Sequence, residues 1–292
     1  MPTISSTGVL ANISEEMISN IRYTAEHNAP APALFEQFTL KKGQDTAVFP
    51  KVGQVNVRIL NEGEDMTNEQ DLGLTTSSVT TNLVGGYIKL SRRALQRTAG
   101  SGGDLIRVTG RQFGDAEARL WNTDILGLGS GLNGGTDFGS AGRFLSAANA
   151  MAGVAYAKTQ KFGGELRGLV HPAAMMYLLR ELSTIGSGQI RPMPAGFSAE
   201  ILQRFWTGIQ LGGCVFFETG DFTVDASDDH VSILADRGAL ATLKEAAPRS
   251  YKEFKNRSQT WELGWVREYI AFELDDSKGT GATFDATTPV SA

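Results

Sequence analysis

Apolar residues recur at every second position in two regions of this chain, and both regions are predicted to be β structure. In the first, Val55, Val57 and Ile59 show this spacing, and a β-branched run at residues 75–90 predicts a second strand. The other region, residues 229–285, holds short alternating runs separated by turn residues. Because an isolated two-stranded ribbon is marginally stable, we expect the first region to pack against another chain.

A long helix is predicted between these regions, over residues 105–128, with Asp104 as its N-terminal cap. At 1.5 Å per residue it would extend roughly 35 Å. Charged residues recur at every fourth position and so share one face: Arg107, Arg111, Asp115 and Arg119. The apolar side is predicted to carry four further residues: Ile106, Phe113, Ala116 and Leu120.

Residues 136–228 read as a separate α/β block. Its predicted elements are an alanine-rich helix, a strand at 166–170 that runs into His171-Pro172 and an apolar helix, a helix at 198–206, and a buried strand around Cys214.

The two ends of the chain are predicted to leave this body. Residues 1–40 read as an arm with a short amphipathic helix at 14–27 and a proline-rich connector at 28–33. The segment after residue 278 is rich in Gly and Thr and is expected to be loose.

Charge is distributed unevenly along a chain of 292 residues whose net charge is −5. This mild acidity argues against a surface built to bind phosphate backbones. Residues 61–71 hold five acidic residues and no basic one: Glu62, Glu64, Asp65, Glu69 and Asp71. Residues 244–257 hold five basic residues against Glu245 and Glu253: Lys244, Arg249, Lys252, Lys255 and Arg257.

Reactive side chains are scarce, with one cysteine and three histidines, and none lies in a known catalytic or metal-binding motif. Cys214 is predicted to be a small core residue. The GxGxxG pattern at residues 129–134 follows a helix rather than a strand, so it predicts a helix end and not a dinucleotide site. We therefore expect no cofactor, no metal, no membrane-spanning segment and no catalytic residues.

The order of these elements resembles the major capsid proteins of tailed bacteriophages, which share the Hong Kong 97-like fold. Four stretches carry the resemblance, and their order and spacing matter more than any one motif: FPKVGQVNVRILNEGED with SVTTNLVGGYIKLSRRAL, DLIRVTGRQFGDAEARLWNTDIL, GLVHPAAMMYLLREL, and GALATLKEAAPRSYKEFKNRSQTWELGWVREYIAFEL.

The resemblance implies an α+β fold in four parts. These are an N-terminal arm (1–40), an extended β loop (41–90), a peripheral domain with the long spine helix (91–135 with 229–292) and an axial domain (136–228). In the family, the extended loop lies over the peripheral domain of a neighbouring subunit. The acidic loop tip would then face basic residues of a neighbour, either the set at 244–257 or a second set: Arg92, Arg93 and Arg97. Val55, Val57 and Ile59 would supply apolar packing.

Further expectations follow from the same resemblance. The chain would assemble with itself as pentamers and hexamers into an icosahedral or prolate shell in the host cytoplasm. The virion would enclose double-stranded DNA without specific binding to it. A separate scaffolding protein, a portal protein at one vertex and a decoration protein are the other expected partners. Some family members join subunits by a lysine–asparagine bond, but residues 59–75 contain no lysine, so a non-covalent shell is expected. Glycine pairs such as Gly85-Gly86 would act as joints.

Three alternatives stay open at this point. An encapsulin-like bacterial compartment shell would have the same architecture. An α+β hydrolase or transferase would use His171 or His230. Another virion part, such as a tail tube or decoration protein, is the third.

Overall fold

The computed structural model describes residues 30–53, 57, 59, 62, 73–92, 102–135, 138–160, 164–185 and 209–288. The helices are α1 Pro30–Leu34, α2 Gly102–Gly127, α3 Ala147–Thr159 and α4 Pro172–Ile185. The strands before α4 are β1 Glu36–Thr39, β2 Thr46–Lys51, β3 Thr75–Thr80, β4 Asn82–Ser91, β5 Phe138–Gly139 and β6 Leu166–Val170. The later strands are β7 Ile209–Leu211, β8 Cys214–Glu218, β9 Asp229–Asp236, β10 Leu240–Lys244, β11 Arg249–Lys255, β12 Thr260–Glu273 and β13 Gly279–Asp285.

A six-stranded sheet in the order β5-β13-β9-β6-β8-β7 forms the centre of an α/β/α arrangement. Helices α3 and α4 cover one face, where Val154 and Leu178 pack with Phe216 and Phe284. Helix α1 and the C-terminal half of α2 cover the other face, where Ile125 is fully buried. Because β6 has helices on both sides, its run of apolar residues is buried throughout.

A second sheet is built around β12, a strand of 14 residues. Strands β10 and β11 pair with successive parts of β12, β4 pairs antiparallel with its first ten residues, and β1 lies parallel to β10. The middle of α2, from Phe113 to Trp121, crosses this sheet. There Trp121 stacks on Tyr269 at 5.0 Å, and Phe113 meets Trp265 edge-on at 6.4 Å. Helix α2 therefore joins both sheets.

Residues 30–40 lie against their own chain. The Asn122 side chain, fully buried on α2, accepts a hydrogen bond from the Ala31 N–H at 3.2 Å and donates to Thr219 and Asp221 at 2.7 Å each. Since Ala31 lies in α1 and both Thr219 and Asp221 directly follow β8, this one side chain ties the start of the described chain to α2 and to the end of β8.

Much of the predicted secondary structure is confirmed: the long helix, the second ribbon strand, the alanine-rich helix, the strand–His-Pro–helix unit and the Cys214 strand. The long helix begins at Gly102, so Asp104 lies inside its first turn instead of capping it. The prediction for its apolar side was wrong at Ala116 and Leu120, which are exposed, because the buried face runs through Phe113, Trp121 and Ile125.

Two predictions in the last region were also wrong. The runs at 259–265 and 267–275 belong to one continuous strand, β12, because β4 and the β10–β11 segment support it on both edges. The segment after residue 278 is not loose. Residues 279–285 form β13, which inserts between β5 and β9 and is largely buried. The predicted helices at 14–27 and 198–206 lie outside the described residues.

The assigned boundary between axial and peripheral domains falls between strands of one sheet. Strands β9 and β13 belong to the predicted peripheral part, whereas β6 and β8 belong to the predicted axial part, yet all four lie in the six-stranded sheet. The division into domains stays a prediction.

Candidate intersubunit surface

Strands β2 and β3 form a two-stranded ribbon whose base is anchored on the chain's own second sheet. Ala47, Phe49 and Val79 pack on the cluster that contains Leu243 and Phe272. The Phe49 ring lies 4.9 Å from that of Phe38 and 5.0 Å from that of Phe272. The expectation that the whole ribbon needs another chain is therefore corrected at its base, where alternate side chains already have partners.

An ion pair fixes the outer end of the described ribbon. Lys51 Nζ lies 2.6 Å from an Asp275 carboxylate oxygen that also accepts a hydrogen bond from the Ser277 hydroxyl. Burial by itself would raise the pKa of Asp275, but these hydrogen bonds outweigh it and hold the pKa below its ordinary value. The ribbon thus leaves the body in a defined direction.

Large apolar side chains are exposed on β2, on β4 and at described positions between β2 and β3. We call the following residues the exposed apolar set: Val48, Val52, Val57, Ile59, Leu74, Leu83 and Tyr87. Val57 and Ile59 are 95% and 96% exposed. Exposed apolar groups concentrated in one segment are typical of a surface that another molecule covers.

Of the strand predicted over residues 55–60, the structure describes Val57 and Ile59. Neither residue pairs with another strand. Val55 lies outside the described residues. Packing of these three side chains on a neighbour stays a prediction, and their exposure is compatible with it.

Of the acidic loop tip, the structure describes Glu62, which is exposed in a turn. Glu64, Asp65, Glu69 and Asp71 lie outside the described residues, as do Arg93 and Arg97 among the predicted basic partners. The role of these residues stays a prediction.

The described basic residues are largely engaged within their own chain. Arg249 lies 2.8 Å from Glu245, and Lys255 lies 2.7 Å from Glu262, which also pairs with Lys89. Those hydrogen bonds lower the pKa of Glu262. Because these basic side chains already pair with acidic residues of their own chain, fewer of them are available to bind an acidic loop tip than the number of basic residues suggested.

The other members of the basic set differ in environment. Lys252 lies 4.4 Å over the Trp261 ring, and burial lowers its pKa. The Lys244 ammonium lies 5.0 Å over the Trp121 ring. Arg92 donates to the Gln259 side chain, and Arg257 is exposed in the turn between β11 and β12. Arg92 and Arg257 are thus exposed basic residues at this turn.

Sequence reasoning missed the ion pair that holds the long helix on β12. Arg267 Nη1 lies 2.9 Å from Glu117, which is 1% exposed, and the same guanidinium donates twice to the Glu245 carbonyl and lies over Trp121. Burial raises the pKa of Glu117, and the neighbouring Arg267 opposes that rise. The one available signal was a charged residue inside the apolar run of β12; its partner, 150 positions away, could not be read from the sequence.

Gly85 and Gly86, the pair expected to act as joints, lie where β4 is paired with β12, and the joint role stays a prediction. Both lie inside β4, and a Cβ on Gly85 would approach the Trp265 carbonyl oxygen to 2.6 Å, while one on Gly86 would approach Phe113 to 3.2 Å. These glycines are required because β4 passes close to β12 and α2.

Cys214 is fully buried, as predicted, and burial raises its pKa to about 12. His230 is 1% exposed, so it is not accessible to a substrate from solvent. Throughout the described ranges, no group of three or more His, Cys, Asp or Glu residues is placed to hold a metal ion. None of the described helices has the length and apolar character needed to cross a membrane.

No protein-family model matches the sequence, and no curated protein matches it. Solved structures do match. The capsid of Ralstonia phage GP4 superposes with a TM-score of 0.66 at 13% identity, covering 89% of each chain. The head structure of Helicobacter pylori bacteriophage KHP40 gives 0.66 at 9% identity, covering 89% of this chain and 91% of the other. The holo-SrpI encapsulin from Synechococcus elongatus gives 0.61 at 10% identity, covering 91% and 92%.

These likenesses extend over nearly the whole chain and show its fold. The chain has the Hong Kong 97-like fold of tailed-phage major capsid proteins, as the sequence resemblance implied.

Proposed function

We propose that this chain, with its Hong Kong 97-like fold, is the major capsid protein of a tailed bacteriophage. The observation that carries the proposal is the ribbon, which is anchored to its own subunit at Phe49 and Lys51 while the segment beyond exposes Val57 and Ile59 almost completely. A shell subunit needs this combination of a fixed base and an unsatisfied outer part.

In the proposed shell, the exposed apolar set becomes buried only when a neighbour covers it. Burial of one Val or Ile side chain contributes about 1.5–3 kcal/mol. Closed symmetry repeats each contact around every capsomer, so a modest gain per contact is sufficient for a stable shell. Assembly as pentamers and hexamers is proposed from the resemblance to tailed-phage major capsid proteins.

The acidic tip at residues 61–71 is proposed to set the register of the loop on a neighbour more than its strength. Exposed ion pairs contribute about 0–1 kcal/mol each. Arg257, in the turn at the end of β11, and Arg92, beside it, are the exposed basic residues proposed to receive the tip, since Lys255 and Arg249 already have acidic partners.

The remaining parts of the proposal concern chemistry and partners. Subunit contacts are non-covalent, since residues 59–75 contain no lysine. The shell encloses double-stranded DNA without specific binding, and it assembles in the host cytoplasm with a separate scaffolding protein, a portal protein at one vertex and a decoration protein. The four-part division into arm, extended loop, peripheral domain and axial domain belongs to the same proposal, and no catalytic role is proposed.

A second candidate is a compartment shell of the encapsulin type. The match to the SrpI encapsulin favours it, because that chain is covered to 92%. The two candidates share the assembly mechanism and differ in what the shell encloses.

Expression of the full chain, with sedimentation and negative-stain electron microscopy, tests the proposal. We expect closed particles that dissociate to monomers on a denaturing gel. Particles that enclose nucleic acid in the native host would support the phage assignment, and particles that enclose a protein cargo would support the encapsulin one. A chain that stays monomeric at high concentration, with every co-expressed candidate scaffold, would contradict both.

A further inference from the structure

Two histidines that are far apart in the sequence meet at the junction of β6, α4 and β9. The rings of His171 and His230 lie 5.5 Å apart. His171 joins β6 to α4, and His230 is the second residue of β9. The proposed shell function uses neither of them.

Both imidazoles act as hydrogen-bond acceptors. His230 Nε2 lies 3.2 Å from the His171 backbone nitrogen and 2.7 Å from the Ser232 hydroxyl. Because a backbone N–H can only donate, Nε2 must keep its lone pair, and the ring must be neutral with its proton on Nδ1. A proton added at Nε2 would face the His171 N–H directly.

His171 caps helix α4. Its carbonyl accepts the hydrogen bond from Met175, and its Nδ1 accepts one from the Ala173 N–H at 3.3 Å. Protonation at Nδ1 would remove this cap and place a positive charge at the helix N-terminus, where the helix dipole opposes it. Both rings therefore favour the junction only in their neutral form.

The charged groups that face His230 are Asp229 on β9 and Asp285 on β13, together with His171 itself. Burial, and then His171, lowers the pKa of His230 to about 4, although the Phe284 backbone and the two aspartates oppose this. Burial also lowers the pKa of His171. The aspartates thus reduce the cost of protonation without removing it.

We propose that His171 and His230 form an acid-sensitive junction that holds α4 against β9 when both rings are neutral and loosens when they take up protons. The proposal concerns the folded subunit and does not depend on the proposed function.

The direction of the pH effect follows from proton binding in the two states. The unfolded chain takes up a proton at His230 near the ordinary pKa of 6.5, whereas the folded chain takes it up only near a pKa of about 4. Stability therefore falls as the pH is lowered from about 6.5 towards 4 and changes no further below that. For His230 alone, the unfolding equilibrium constant should rise ~30-fold between pH 8 and pH 5.

Two substitutions keep the acceptors and remove the titration. In His230→Gln, the amide oxygen can replace Nε2, and in His171→Asn, the amide oxygen can replace Nδ1 as the helix cap. Urea unfolding of the full chain between pH 8 and pH 5 would compare wild type, each single variant and the double variant. Over this pH range, we expect the unfolding equilibrium constant of the double variant to rise at least tenfold less than that of wild type.

A local measurement keeps the test valid if a variant does not fold. Amide hydrogen exchange of wild type, corrected for intrinsic rates, should accelerate at pH 5 in peptides covering residues 166–178 and 229–236, and much less in peptides covering β12. Equal pH dependence in wild type and the double variant would overturn the proposal. So would an NMR titration in which His230 of the folded chain titrates near 6.5.

Discussion

Replacing the loop segment that carries Val57 and Ile59 should separate folding from assembly. The segments at its two ends are adjacent, because a Cβ on Gly73 would lie 3.9 Å from the Gly53 Cα. Residues 54–72 can therefore be exchanged for an Asn-Gly turn, which joins antiparallel strands directly. The anchor of the ribbon at Phe49 stays intact in this variant.

The expected magnitudes for this variant have opposite signs for the subunit and for the shell. The described side chains that are removed are almost fully exposed. Loss of their contacts should therefore change the subunit's free energy of unfolding by no more than about 0.5 kcal/mol. The connection shortens from 19 residues to two, about ninefold, which lowers the entropic cost of closing it by ~2 kcal/mol. Each intersubunit contact loses the burial of two apolar side chains, about 3 kcal/mol or more, which is over 100-fold in its equilibrium constant.

Urea unfolding of the unassembled subunit would measure the first effect, and sedimentation velocity with negative-stain microscopy would measure the second. We expect a subunit at least as stable as wild type that forms no closed particles. Closed particles from the variant would refute the role of the loop. A subunit destabilised by more than about 2 kcal/mol would refute the reading that this segment has no partner in its own chain.

Three further substitutions test particular contacts by urea unfolding. Arg267→Met should cost about 3–5 kcal/mol, because it leaves the Glu117 carboxylate buried without its partner. Lys51→Met should cost up to about 1 kcal/mol at pH 7. Because the pKa of Asp275 is depressed in the folded chain, that cost should persist above pH 3.8 and disappear as the pH falls through the folded pKa. Gly85→Ala should cost about 1–3 kcal/mol, because its Cβ meets a backbone oxygen.

Two of these substitutions have a matched control. Adding Glu117→Leu to Arg267→Met should recover at least half of the loss, since no unpaired charge remains. Gly127→Ala, where a Cβ meets nothing within 4 Å, should leave stability unchanged or raise it by about 0.5–1 kcal/mol. Equal losses at Gly85 and Gly127, or a Lys51→Met cost that is independent of pH down to pH 2, would contradict the contacts described.

The α/β block could be predicted well because its signals are local. The run at 166–170 is apolar at every position except Arg167, and the proline at 172 marks a helix start, so strand and helix follow from sequence alone. Strand β13 could not be predicted in this way, since its composition favours a turn or coil. Its burial comes from β9 and β5, and a Cβ on Gly279 would approach Leu132 and Ala235 to about 3 Å.

The candidate surface could be predicted in part. A two-stranded ribbon was predicted in this segment, and its first described strand is Thr46–Lys51, where Phe49 finds partners in Phe38 and Phe272 that are distant in sequence. The basic set was visible as charges, whereas its pairing depends on tertiary contacts such as Lys255 with Glu262. Long-range pairing is the information that a single sequence lacks.

Electron cryo-microscopy of particles formed by the full chain would test the central claim most directly. The account predicts a closed shell in which residues 54–72 of one subunit lie on a neighbouring subunit, with Val57 and Ile59 buried in the contact and Arg92 or Arg257 beside the acidic tip. A map in which this segment contacts its own subunit, or a purified chain that forms no closed particles under any assembly condition, would contradict it.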